Sequence, residues 1–144
     1  MDTSEAQFHE ILHSNNSSVT ESRKVVFKTL QGSEPMTMNQ LVSLCSARID
    51  RASVYRTIAL FETLGIVQRL QIGWKYKLEL SSRFSVHHHH LTCVQCNAHI
   101  SLPEDPLIER RLIELAKQEH FIANDHRLEI KGLCRDCQAT EINV

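Results

Sequence analysis

At 144 residues the chain has room for one ordinary domain or two small ones, and no apolar run is long enough to cross a membrane. Its 42% hydrophobic and 23% charged residues are those of a globular protein, which excludes a disordered or fibrous chain. The net charge of -1 excludes binding to nucleic acid by bulk charge, so only a local basic surface would serve that purpose.

The charge is unevenly placed. Residues 1–86 carry 10 Lys/Arg and 8 Asp/Glu, a balance of +2, while residues 87–144 carry 6 and 9, a balance of -3. The start, "MDTSEAQFHE", is acidic and polar and lacks the basic and apolar regions of a secretory leader. The expectation is a cytoplasmic protein whose five cysteines are reduced unless a metal holds them.

In chain order, "FHEILHS" predicts a short helix. "VTESRKVVFKTLQG" predicts a second, with Thr20 as cap and Gly32 as stop. "TMNQLVSLCS" predicts a third, with Thr37 and Gln40 at capping-box spacing and Cys45 at a core position. The fourth, "DRASVYRTIALFETLG", carries Val54, Ile58 and Phe61 at helical spacing and ends at Gly65. Arg51, Ser53, Tyr55 and Arg56 lie at its start and off that stripe. Next, "IVQRLQIGWKYKLEL" predicts a hairpin. After Gly73, Trp74, Tyr76, Leu78 and Leu80 alternate with Lys75, Lys77 and Glu79. Helices followed by a two-stranded wing predict a winged helix-turn-helix over residues 1–84.

A second domain is expected over residues 85–144, with short strands in "HLTCVQC", "AHISL" and "DHRLEIKGL". Its helix, "EDPLIERRLIELAKQEH", has Asp105 as cap and Pro106 at the first position. The fold class expected is α+β, a winged helix followed by a small α/β dimerisation domain stapled by zinc.

Cys93-x2-Cys96 and Cys134-x2-Cys137 are two matched halves of a tetrahedral thiolate site, the pattern of closed structural zinc. Four consecutive histidines, His87 to His90, have no packing rationale. If they are extended, His87 and His89 face one way and His88 and His90 the other, so the run can feed two metal sites. Glu109, in the first turn of its helix, and His126, at the start of the last strand, are candidate partners for the first face. Imidazoles with a carboxylate suit zinc, or iron, manganese or nickel in other geometries. At the start of the fourth helix, Arg51, Ser53, Tyr55 and Arg56 are residues that contact bases or phosphates in a helix-turn-helix, and Lys75 and Lys77 of the wing are placed to reach phosphates.

"RASVYRTIALFETLGIV", the histidine run, Cys93-x2-Cys96, "NDHRLEI" and Cys134-x2-Cys137 together resemble the ferric uptake regulator (Fur) superfamily, over roughly residues 15–138. The resemblance implies a homodimeric, metal-dependent repressor of operator DNA, with no small organic ligand. It implies structural zinc on Cys93, Cys96, Cys134 and Cys137, and a second site on His87, His89, Glu109 and His126. Iron and peroxide sensors usually carry Asp where this chain has His89, so the ligand set is closer to the zinc uptake regulators. A third site, which clamps the two domains in the family, maps onto Glu79, His88 and His90.

There the chain departs from the pattern. The usual histidine falls at or near Pro35, the usual acidic residue falls at Ser101, and the cysteine that many zinc regulators place near the end of the wing is missing. His99, two residues before Ser101 on an expected strand, lies on the same face and would replace the lost carboxylate. Zinc or another divalent metal is therefore the expected regulator. Iron, manganese or peroxide sensing are the rivals within the superfamily. Outside it stand a zinc-stapled interaction module and a zinc hydrolase, for which the chain shows no H-E-x-x-H motif.

Overall fold

Four short amphipathic segments and a hairpin build the first half of the molecule. The structure, a computed structural model, describes residues 2–72, 74–84 and 87–141. Gly73 at the expected hairpin turn and Ser85 at the expected domain boundary lie outside the described residues. The chain divides into two compact units, Met1–Ser85 and Val86–Val144.

In the first unit, α1 (Thr3–Ser14) begins five residues earlier than "FHEILHS" suggests and buries Phe8 and Leu12. α2 (Glu21–Leu30) starts where the Thr20 hydroxyl accepts from the Arg23 N–H at 3.3 Å. α3 (Met38–Cys45) opens on a complete capping box. Thr37 Oγ1 accepts from the Gln40 N–H, and Gln40 Oε1 accepts from the Thr37 N–H. α4 (Arg51–Thr63) is capped by Asp50, whose carboxylate accepts from the Ser53 N–H at 2.8 Å. Just past α4, Gly65 takes a φ of 68°, the left-handed conformation that lets the chain reverse into the wing.

Val54, Thr57, Ile58 and Phe61 form the buried face of α4. They meet a core in which Phe8 stacks on Phe27 with ring centroids 4.2 Å apart and meets Phe61 edge-on at 5.6 Å. Each such side chain contributes about 1.5–3 kcal/mol by leaving water. Cys45 is a buried core residue, as its helical position predicts.

The wing pairs β1 (Val67–Ile72) with β2 (Lys75–Leu80) in antiparallel register, from Val67 opposite Leu80 to Ile72 opposite Lys75. Met36 adds a bridge to Leu78. The period-two expectation fails at both ends of β2. Trp74 is 88% exposed beside the turn, and Glu79 is buried. Gln68 Nε2 donates to Glu79 Oε1 at 2.6 Å, and this partner is what a buried carboxylate requires.

The second unit is a three-stranded sheet of order β4-β3-β5. β3 (His88–Cys93) pairs antiparallel with β4 (His99–Pro103) and parallel with β5 (Glu129–Gly132). α5 (Pro106–Gln118) connects β4 towards β5, with Asp105 capping the Leu107 and Ile108 N–H groups and Pro106 in the first turn. Cys134 of the "CRDC" segment leads into a short helix, α6 (Arg135–Glu141), that holds Cys137 and that the sequence reading did not anticipate. The fold is of the α+β class expected. No described helix is long and apolar enough to cross a membrane.

Candidate metal centres and nucleic-acid surface

The end of β3 and the start of α6 bring two cysteine pairs together. Past Cys93 the chain turns tightly. Its N–H donates to the Ala98 carbonyl, and Asn97, at a φ of 60°, donates back to the Cys93 carbonyl. Val94 N–H donates to the Gly132 carbonyl, which pins this knuckle to the end of β5, one residue ahead of the Cys134 loop. The Sγ atoms of Cys93, Cys96, Cys134 and Cys137 lie within 4.8 Å of one another, with Cys96 and Cys134 3.6 Å apart. Tetrahedral zinc–thiolate bonds of about 2.3 Å place sulfurs about 3.8 Å apart, so the set suits structural zinc.

Its proton chemistry fits as well. Backbone N–H groups of Cys96, then Cys134, point at Cys93 and hold its thiol down at about 6. The shared hydrogen bond with Cys134, followed by desolvation, pushes Cys137 up to about 12. Cys96 also receives the Ala98 N–H, which favours its thiolate, but its hydrogen bonds with Cys93 and Cys134 outweigh that and raise its thiol. The two pairs thus share hydrogen bonds around one point. A metal would displace the protons that remain.

The odd-numbered histidines form the second cluster. His87, His89, Glu109 and His126 present ligand atoms within 4.8 Å of one another. Glu109 sits in the first turn of α5 and reaches back with both oxygens. Its Oε1 lies 2.6 Å from His89 Nε2, and its Oε2 lies 2.8 Å from His126 Nε2 and 3.5 Å from His87 Nε2. His87 Nε2 and His126 Nε2 are 3.0 Å apart, so at least one of them carries a lone pair towards the centre. His89 Nδ1 is buried without a hydrogen-bond partner among the described residues. Three imidazole Nε2 atoms around one carboxylate form a ligand set suited to a regulatory borderline divalent metal. His126 precedes β5 by three residues rather than opening it as expected, and its own N–H is fixed by Asp125 Oδ1 at 2.9 Å.

The even-numbered histidines face the other way, as alternation requires. His88 and His90 meet edge-on at 4.7 Å between ring centroids, in the second unit. Glu79 belongs to the first unit. His99, on β4, lies opposite Thr92.

In α4 the candidate nucleic-acid contacts are displayed outward. Arg51, Tyr55 and Arg56 are exposed, and Ser53 is half-buried. Arg51 donates to the Tyr55 hydroxyl at 3.1 Å and Arg56 to the Ser53 hydroxyl at 3.1 Å, so both guanidiniums are held along the helix surface. Lys75 is exposed beside Trp74, its Nζ 5.3 Å from the indole, while Lys77 is half-buried. Trp74 is the surface feature the sequence reading misplaced, since aromatic alternation assigned it to the strand.

The profile of the ferric uptake regulator family matches residues 14–131. The chain belongs to this family. It is therefore a metal-responsive, DNA-binding transcription regulator, of a family whose members act as dimers on operator DNA. Among its relatives, a ferric uptake regulation protein of Campylobacter upsaliensis is 33% identical over 91% of this chain and 86% of its own length. A peroxide-responsive repressor of Staphylococcus saprophyticus is 33% identical over 88% and 86%. The fold is shared with a ferric uptake regulator from Helicobacter pylori that has three functional metal binding sites, at a TM-score of 0.75 and 22% identity over 95% of both chains.

Proposed function

We propose that this regulator is a zinc-responsive homodimeric repressor controlling metal-homeostasis genes. The observation that supports zinc is the Glu109 cluster, where three imidazoles and one carboxylate converge. Iron and manganese favour more oxygen in the set, and His89 stands where the resemblance expects an aspartate. Cys93, Cys96, Cys134 and Cys137 would hold a structural zinc. The Glu109 cluster would hold a second metal, and His88 and His90 would contribute to a third.

Dimerisation is supported by α5, which buries none of its residues and leaves Leu107, Ile108 and Leu115 exposed on one side. A helix with an apolar face of this size has its partner elsewhere. DNA binding would use Arg51, Ser53, Tyr55 and Arg56 of α4 and Lys75 and Lys77 of the wing. Relatives named for ferric uptake regulation and for peroxide response favour a second reading in which this chain senses iron or peroxide.

The test is operator affinity of metal-depleted protein after zinc, ferrous iron or manganese is restored separately. A gain of roughly 5–150-fold is the usual scale of such coupling. Zinc is expected to give the largest gain at the lowest free concentration. A larger response to ferrous iron, or loss of binding on peroxide treatment, would replace the zinc reading.

A further inference from the structure

The even-numbered face of the sheet carries more than His88 and His90. Strand alternation and register put Thr92, His99 and Glu129 on it as well: Thr92 pairs with His99 across β3–β4, and His90 pairs with Glu129 across β3–β5. All of these residues belong to the second unit. The His90 and His99 rings meet edge-on at 6.1 Å, and the His88 and His90 rings at 4.7 Å. In the Glu109 cluster, where the nitrogens do converge, the ring pairs are 4.5, 4.7 and 5.4 Å apart. The His88–His90 spacing matches that of the Glu109 cluster, while the His90–His99 pair is wider than any in it, so His99 stands at the edge of this face.

The hydrogen bonds behind His99 select its tautomer. Glu129 Oε1 lies 2.6 Å from Thr92 Oγ1, and Lys131 Nζ stands 3.8 Å from the other Glu129 oxygen. A carboxylate only accepts, so Thr92 donates its single hydroxyl proton to Glu129. Thr92 Oγ1 also lies 3.3 Å from His99 Nδ1. With its proton committed, the hydroxyl can only accept there, and His99 Nδ1 must carry the hydrogen. The neutral imidazole then has its lone pair on Nε2, and that atom is buried in the protein. This carboxylate–hydroxyl–imidazole chain matches the outer-shell arrangement that orients a metal-ligating histidine and sets its tautomer.

We propose that His99 is a metal ligand of the His88–His90 face through Nε2, with Thr92 and Glu129 as its positioning residues. The site takes a borderline divalent cation of the zinc class. This proposal rests on the metal-responsive reading above and goes beyond it, because it replaces a carboxylate with an imidazole at this face. Ser101, where the resemblance expects the carboxylate, is exposed on the same face two residues further along β4. Exchanging an oxygen donor for a nitrogen one lowers preference for manganese relative to zinc.

The test uses full-length protein and zinc, titrated in competition with a chromophoric chelator, together with nitrogen-15 NMR of the histidine rings. Before zinc is added, His99 should show the Nδ1–H tautomer, and on addition its Nε2 resonance should shift. His99→Ala should lose one class of bound zinc. Thr92→Val and Glu129→Gln should keep that class but weaken it by roughly 10–100-fold. The double variant His99→Ala, Ser101→Asp should regain a site whose manganese-to-zinc preference is higher than the parent's. An Nε2–H tautomer in the folded parent overturns the proposal without requiring any variant to fold. So does unchanged zinc binding in His99→Ala. If zinc binds through His99 but leaves operator affinity unmoved, the regulator reading fails and the site stands. If parent and His99→Ala respond to zinc alike on DNA and bind it alike, the site fails and the regulator reading stands.

Discussion

The two units hold themselves together by different means. In the first, the buried residues are mainly apolar, including Phe8, Phe27, Phe61, Leu12, Leu41 and Leu78. In the second, the buried residues among those described are His89, His90, Thr92, Cys93 and Cys137, and not one is an aliphatic or aromatic hydrocarbon. A unit of fewer than 60 residues that buries ligands instead of hydrocarbon cannot offset its chain entropy by the hydrophobic effect alone. Metal bonds and a partner surface must make up the difference. The difference between the units explains how one chain combines a stable DNA reader with a switch: only one unit is stabilised by contacts that do not depend on its surroundings.

The sharpest way to break that contrast is to remove the thiolate site. Structural zinc supplies on the order of 10 kcal/mol in small zinc domains. Cys93→Ser, or strong chelation, should unfold the second unit and abolish dimerisation while the first unit keeps its native amide resonances. A zinc-free variant with both units folded would show that the second unit has a core after all.

The converse variant comes next in size. Phe61 is fully buried between α4 and the Phe8–Phe27 stack. Phe61→Ala should cost about 3–5 kcal/mol of stability in the first unit. Zinc content, measured on the folded fraction, should not change. Coupled loss of zinc would mean the two units do not fold independently.

The histidine faces sharpen the comparison within the second unit. His89 Nε2 is 2.6 Å from Glu109, the side chain through which α5 reaches the histidine run. His89→Ala should lower total metal and dimer stability. His88→Ala should leave the dimer intact and reduce the metal response on DNA, by an amount within the roughly 1–3 kcal/mol typical of coupling between sites. If instead His88→Ala responds to zinc like the parent and His89→Ala does not, the Glu109 cluster is the sensor.

How much of this was legible in the sequence follows the same division. Helix caps at Thr20, Thr37 and Asp105 act through neighbours two or three residues away, so local pattern finds them, while the Asp50 cap of α4 was not read from the sequence. Alternation along His87–His90 correctly separates the two faces, because strand geometry leaves no other choice. Where pattern fails, a contact from a distant residue decides. Glu79 is buried because Gln68 on the other strand satisfies it, and Trp74 leaves the strand period because it flanks the turn. The Thr92–Glu129 bond spans 37 residues and the parallel β3–β5 pairing, and nothing local in "HLTC" or "RLEI" announces it. The convergence of Glu109 and His126 on His87 and His89 came from family resemblance, and periodicity alone would not have supplied it.

The last effects belong to the proposed DNA surface of the first unit, and they separate reading from steering. Arg56 is exposed near the start of α4 and held by the Ser53 hydroxyl at 3.1 Å. If it contacts a base, Arg56→Ala should weaken operator binding by about 1–3 kcal/mol and relax the preference at one base pair. Lys77 is half-buried in β2, with its backbone opposite Leu70, and if it reaches DNA it meets phosphate through charge. Lys77→Ala should weaken operator and random duplex alike. A lost phosphate contact removes about one released counterion, so the slope of log affinity against log salt should flatten by roughly 0.9. Measured across a salt series with the zinc concentration fixed, an unchanged slope would remove Lys77 from the interface and shift the wing's contribution to the exposed Trp74–Lys75 pair at its tip.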